Sequence, residues 1–281
     1  MTQLSADTRS PSTGPWIAGV AAALSRPRLI AIACMAVLTA TGWAYLLLVA
    51  MQQAPAGTSG LLDVMCRALP VGATTAGGVA IIGSMWVAMT LAMMLPTAGP
   101  MILTYAEIAE TASRKGDRIV SPHVLIAGYL MVWFGFAAFA TAAQVAMMPL
   151  MVWPGAAAVA VPASAVLFLA AGLYQFSELK QACLRVCQQP FSFFFLNWTD
   201  KPEGVLRLGV RQGLSCLGCC IAMMLLMFAA GAMNVVWMAV LGLVMLIEKI
   251  SVSAHVGRVI GFAFTAVGLT ILAAWGLGFV I

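Results

Sequence analysis

The chain contains repeated apolar runs that are long enough to cross a lipid bilayer, and this pattern restricts its fold most strongly. Of its 281 residues, 63% are hydrophobic and 8% are charged, and the mean hydropathy is +1.02. A helical span needs about 20 consecutive apolar residues. Seven such runs lie near residues 29–50, 78–104, 124–149, 158–176, 212–232, 234–250 and 259–280. The sequence therefore predicts an all-α fold, a polytopic transmembrane helix bundle of about seven spans.

The basic residues predict the orientation of these spans, because Lys and Arg in short loops are retained on the cytoplasmic side. With a cytoplasmic N-terminus, all but Arg67 of the 14 Lys and Arg residues fall on that side. We therefore expect an integral protein of a bacterial-type cytoplasmic (inner) membrane. Basic loops beside anionic lipid also account for the net charge of +5, so no nucleic-acid partner is expected.

The polar segment at residues 1–28 differs from the rest of the chain. It has too few large apolar side chains to fold alone, and we predict that it is a disordered tail. Residues 29–281 are predicted to form a single transmembrane helical domain.

Five of the seven cysteines fall into two groups between residues 183 and 220. Steps of three and four residues return to one helix face, so each group should present its sulfur atoms together. Both groups are predicted near the cytoplasm, where thiols stay reduced. Thiolates select soft ions over Mg(II) or Ca(II). The pattern favours a metal site for Cu(I) first and Zn(II) second, formed by Cys183, Cys187, Cys216, Cys219 and Cys220.

The same cysteines have a purely structural interpretation, because small residues line close helix crossings in membranes. Gly213, Gly218 and Ala222 lie in the same run and fit that interpretation. Cys34 is expected to be a small core residue of the first span. Cys66 is an isolated thiol on the outer side, and neither Cys34 nor Cys66 is assigned a role.

Methionine is abundant, with 19 residues, and its thioether is a ligand that suits Cu(I). At 100 degrees per residue, Cys216, Cys220, Met223 and Met227 share one face of their helix. A sulfur-lined path for the ion would pass Met85, Met89, Met93, Met223 and Met227. Methionine is also a flexible filler of apolar cores, and this alternative stays open.

Proline and polar side chains interrupt the apolar runs at a few points. Pro96 removes a backbone hydrogen bond in the second run and predicts a kink near Met93 and Met94. Gln144 lies near an outer end, where water would satisfy it. Glu248 and Lys249 end the sixth run and are interpreted as an anchor at the inner boundary.

No catalytic motif is apparent in the sequence. Its two histidines, His123 and His255, belong to no spaced metal motif, and neither a nucleophile elbow nor a phosphate-binding glycine loop is present. We therefore expect a protein that binds rather than catalyses, and we assign no catalytic residue.

Several short motifs occur in a characteristic order. They are Met85-Trp86, Ala92-Met93-Met94-Leu95-Pro96, Tyr174-Gln175, Leu179-Lys180, Cys183 to Cys187 with Pro190, Cys216 to Cys220, Met233-Asn234, Trp237-Met238 and Glu248-Lys249. Over about residues 80–250 the chain resembles a family of predicted metal-binding integral membrane proteins catalogued as a domain of unknown function. The resemblance implies metal binding and specifies neither transport nor catalysis. The chain departs from the family pattern at Glu178, where proline is usual, and at Gln188, where a basic residue is common.

These observations lead to one hypothesis and two alternatives. We expect an integral membrane protein that binds or handles Cu(I) or Zn(II), with a metal-delivering or membrane-enzyme partner. The Cys216-x-x-Cys219 spacing would also suit a membrane thiol-disulfide oxidoreductase. A non-catalytic subunit or assembly factor of a membrane enzyme is the other alternative.

Overall fold

The fold is known from a computed structural model. It describes residues 27–52, 76–116, 119–152, 156–229, 234–251 and 253–278. The predictions made for tail residues 1–26, for Cys66 and for Met233 lie outside these residues.

Regular structure within the described residues is entirely helical, which confirms the predicted all-α class. The helices are α1 (Pro27–Gln52), α2 (Ala76–Met89), α3 (Leu95–Arg114), α4 (Pro122–Val152), α5 (Ala156–Gln175), α6 (Glu178–Gln188), α7 (Pro190–Leu196), α8 (Pro202–Ala229), α9 (Val235–Ile250) and α10 (Ala254–Gly276). A π-helical turn, Thr90–Met94, joins α2 to α3.

Five stretches are long and apolar enough to cross a membrane: Ala31–Met51, Ala76–Arg114, Pro122–Pro149, Pro202–Phe228 and His255–Gly276. A sixth results if α5 and α6, which meet at a bend of 64°, form one broken span. Helix α9 has only 16 residues. Helices thus occur at all seven predicted runs, while the number of crossings and their orientation stay predictions.

The break in the second run has the cause that the sequence predicts, and its form is a π-helical turn. Pro96 has no N–H to donate to the preceding turn, so one hydrogen bond of the α-helical pattern is missing at this point. The backbone widens over Thr90–Met94 and resumes as α3. Such turns often occur at functional sites.

Helix α8 lies at the centre of the bundle, in contact with α4, α5, α6 and α9. Its approach to α4 is closest where two glycines face each other. A Cβ atom on Gly209 would overlap the carbonyl oxygen of Leu125, and one on Gly128 would overlap that of Leu206. The absence of side chains therefore lets the two backbones touch. This contact places the N-terminal half of α8 firmly against α4.

The predictions made for Gln144 and Cys34 are wrong. Gln144 is buried rather than solvated at an outer end, and its Oε1 accepts a hydrogen bond of 2.8 Å from Trp86 Nε1. Aromatic neighbours cover the Trp86 ring, so the indole needs a protein partner. Cys34 is exposed on α1 and is not a core residue.

Candidate metal centre

Three sulfur atoms lie on the inward face of α8. Cys216, Cys219 and Cys220 are each only 2% exposed. The thiol of Cys219 donates to the carbonyl oxygen of Cys216 over 3.1 Å, and its sulfur lies 3.5 Å from that of Cys220. Two thiolates on one tetrahedral Zn(II) would lie roughly 3.8 Å apart, given bonds of about 2.3 Å. The spacing of this pair is therefore close to what a shared metal ion requires.

A fourth sulfur reaches these three from α6. The Cys187 thiol is a neighbour of the Cys216 and Cys219 thiols. Cys216 is also in side-chain contact with Cys220. We call Cys187, Cys216, Cys219 and Cys220 the four-thiol cluster.

Cys183 lies apart from the four-thiol cluster. Its sulfur packs where a Cβ atom on Gly218 would stand, and the side chain is half-buried. Gly218 points about 100 degrees or more away from the cysteines of α8 on the helical wheel. Cys183 therefore contacts a different face of α8, although it lies one turn from Cys187.

A buried lysine contacts the four-thiol cluster. Lys249, at the end of α9, donates hydrogen bonds of 2.9 Å to the sulfur of Cys216 and 2.9 Å to the Thr97 hydroxyl. The Tyr129 hydroxyl lies 3.1 Å from the same sulfur. Lys249 is 8% exposed. The interpretation of Lys249 as an anchor at a wet boundary is therefore wrong, because its ammonium group lies in the protein interior against a thiol.

The π-helical turn explains how these polar groups are held. Met94, the last residue of this turn, accepts hydrogen bonds from side chains at its carbonyl oxygen. Thr97 donates to that oxygen over 2.9 Å, and Tyr129 donates to it over 3.1 Å. Both hydroxyls are thereby oriented toward Lys249 and Cys216. The π-helical turn thus holds Tyr129 of α4 directly and Lys249 of α9 through Thr97.

Glu248 is also buried, at 4% exposure, and forms an ion pair with Lys180 of α6 over 2.8 Å. Gln175 bridges the pair, because its amide Nε2 donates to Glu248 over 2.9 Å and its Oε1 accepts from Lys180. The prediction that Glu248 is satisfied at the boundary by water or by its neighbour Lys249 is wrong. The partners come from α5 and α6, more than 60 residues earlier.

The methionines of the predicted path all lie in the core. Exposure is 3% or less for Met85, Met89, Met93, Met223 and Met227. Met93 packs against Gly242 of α9, where a Cβ atom would meet its side chain at 3.0 Å. Core packing explains this burial equally well, so the path stays a prediction.

No set of three or more Cys, His, Asp or Glu residues in the described part of the chain is arranged to hold a metal ion as it stands. The Cys219 thiol donates to a backbone carbonyl oxygen instead, and its sulfur lies 3.5 Å from that of Cys220. Both histidines are exposed and lie at helix ends. The arrangement thus offers sulfur, and no imidazole, to an ion. Sequence reasoning missed Lys249, Tyr129 and Thr97 as neighbours of the thiols, because no periodic pattern connects them.

One protein-family model matches the chain, over residues 83–271, and its description is PpoB2, copper chaperone. Comparison with curated proteins and with solved structures found no significant match. The matched region includes both cysteine groups, Lys249 and the π-helical turn. Since it covers more than half of the sequence, the chain belongs to the PpoB2 family of copper chaperones.

Proposed function

We propose that this protein is a membrane-embedded Cu(I) chaperone that holds the ion at the four-thiol cluster. The observation that carries the proposal is the approach of Cys187 from α6 to Cys216 and Cys219, two of the three buried cysteines of α8. Thiolate ligands suit Cu(I) and Zn(II) better than ions that prefer oxygen, such as Mg(II) and Ca(II). The copper chaperone family supports the choice of copper over zinc.

The thiol geometry favours a low coordination number. Structural Zn(II) sites take about four ligands in a closed tetrahedron, and no such set is preformed in the described residues. Cu(I) is stable with two or three thiolates, so small rotations about the side-chain bonds of Cys187, Cys216 and Cys219 suffice. A site with few ligands also releases its ion readily, as a chaperone must.

Lys249 can neutralise the negative charge of a buried copper-thiolate site. Two thiolates and one Cu(I) ion carry a net charge of −1, and an unpaired buried charge is costly. The ammonium group of Lys249, 2.9 Å from Cys216, balances that charge. With Zn(II) on the same two thiolates the site would already be neutral, and the lysine would leave a net charge of +1. The residues around the sulfur atoms therefore favour the monovalent ion.

The predicted topology places the four-thiol cluster toward the cytoplasmic side. An ion bound there is available to a partner that docks on that side, either a metal-delivering protein or a copper-requiring membrane enzyme. Met223 and Met227 continue the sulfur face of α8 beyond Cys220, and we propose that they offer weaker sites along which the ion moves. Replacing Met227 by leucine is expected to slow copper release and leave the affinity of the thiols unchanged.

The test is copper content and Cu(I) affinity of detergent-purified protein kept under reducing conditions. Elemental analysis by plasma mass spectrometry measures content, and competition with a chromophoric Cu(I) chelator measures affinity. Cys216→Ser and Cys219→Ser should each lower the Cu(I) affinity by at least tenfold, since each removes a soft ligand.

Two cysteines outside the four-thiol cluster provide matched controls. Cys34→Ser changes an exposed thiol on α1, and Cys183→Ser changes the thiol that faces Gly218. Both variants should retain the affinity of the unmodified chain. Equal copper content in all variants, or a loss as large in Cys34→Ser as in Cys219→Ser, would reject the proposal.

A further inference from the structure

We infer that the buried ion pair Lys180–Glu248 positions Cys187 within the four-thiol cluster, so that both charged residues are positioning residues for copper binding. The inference rests on the proposed function and adds residues to it that touch no sulfur atom. It explains how a short helix with only two buried side chains delivers one thiol to a buried site on another helix.

Helix α6 has little apolar surface with which to hold its place. Of its 11 residues, Lys180 and Leu184 are the buried ones. The burial of one leucine contributes about 2 kcal/mol elsewhere in proteins, and α6 leaves Leu179 largely exposed. Polar contacts therefore add to the packing of α6 against α8 in fixing its position.

Polar contacts with the end of α9 are made near both ends of α6. At the first end, Lys180 is fully buried and donates to the Glu248 carboxylate over 2.8 Å. At the other end, Gln188 donates to the carbonyl oxygens of Glu248 over 2.9 Å and Ser251 over 2.7 Å. Cys187 directly precedes Gln188. The contacts at the end of α9 thus determine where the Cys187 sulfur stands.

The end of α9 also holds the other half of the site. Lys249 follows Glu248 directly and contacts Cys216 of α8. Neighbouring residues of one helix point about 100 degrees apart. Glu248 therefore reaches α6 while Lys249 reaches α8. The dipeptide sets the distance between Cys187 and the thiols of α8.

A positioning role can be separated from simple stabilisation by removing both charges together. Loss of one partner would leave an uncompensated buried charge, whereas replacement of both by apolar residues of similar volume is often neutral for stability. The informative variant is therefore Lys180→Leu with Glu248→Leu, which adds no sulfur ligand. The reversed pair, Lys180→Glu with Glu248→Lys, is the rescue variant.

The first measurement needs no metal. A full-length chain that keeps only Cys187 and Cys219, with the other cysteines changed to serine, is treated with dibromobimane, which fluoresces when it links two neighbouring thiols. Removing the ion pair should lower the cross-linking rate several-fold, and the reversed pair should restore it. The matched control removes the exposed Arg114–Glu110 pair through Arg114→Met with Glu110→Leu, and the rate should not change.

The second measurement is Cu(I) affinity in the chain with all its cysteines. Removing the ion pair should weaken binding by about 10- to 100-fold, as loss of supporting contacts does at other metal sites. Adding Cys187→Ser to that variant should cause no further loss, because the thiol is already displaced. An unchanged cross-linking rate would overturn the inference. So would a further loss of Cu(I) affinity when Cys187→Ser is added to the variant that lacks the ion pair. A chain that cross-links as expected but binds no Cu(I) would reject the proposed function and leave the positioning role supported.

Discussion

Replacing Lys249 by leucine should weaken Cu(I) binding without weakening the apo fold. The Lys249 ammonium lies 2.9 Å from the sulfur of Cys216 and 2.9 Å from the Thr97 hydroxyl. Leucine has a similar volume and offers no ligand to copper. Methionine would be the wrong choice, because its thioether can itself bind Cu(I).

The magnitude follows from the geometry around Cys216. At 2.9 Å, two opposite unit charges attract by roughly 6 kcal/mol with an effective dielectric constant of about 20. Desolvation of the ammonium group and repulsion by the bound ion offset much of this. A hydrogen bond to a charged group has a net value of about 1.5–3 kcal/mol. The dissociation constant for Cu(I) should therefore rise by roughly 10- to 150-fold.

The apo protein is affected differently, because the substitution removes a buried charge. Thr97 keeps its hydrogen bond to Met94, and Tyr129 remains beside Cys216. The midpoint of thermal unfolding in detergent should not fall. Chelator competition under reducing conditions measures the affinity, with Lys115→Leu on the exposed end of α3 as the matched control. A change in affinity below twofold, or an equal change in the control, would refute the role of the charge.

Three further predictions concern the fold and its orientation. Gly209→Ala should destabilise the protein by about 1–3 kcal/mol, because the added methyl group must push α4 away from α8, whereas Gly135→Ala has open space and should be neutral in the same melting assay. Trp86→Phe should lower the free energy of unfolding by about 1–3 kcal/mol, because Gln144 would be left unpaired in the core. Trp275→Phe changes an exposed position and should have no such effect. Equal losses in the two variants would contradict this reasoning. Alkaline phosphatase fused after α10 should be active and the same enzyme fused to the N-terminus inactive, and the opposite pattern would reverse the predicted topology.

Local patterns in the sequence were sufficient for the fold class and for one half of the candidate site. The apolar runs marked where helices occur, because about 20 consecutive apolar residues is the length that a helical span needs. The helical period placed Cys216, Cys219 and Cys220 on one face, and their burial in the structure agrees with that placement. The proline at position 96 marked the break in the second run. Each of these inferences needs only residues within about a turn or a span of one another.

The tertiary structure alone decided which thiol of α6 meets the α8 face, and which charges lie beside it. Cys183 and Cys187 are equivalent by spacing, yet Cys183 packs against Gly218 while Cys187 lies beside Cys216 and Cys219. Lys249 meets Thr97 across 152 positions of sequence. No periodicity reports such a contact, because it depends on how whole helices pack. The physical reason is that a buried charge is tolerated only beside its partner, and packing chooses that partner.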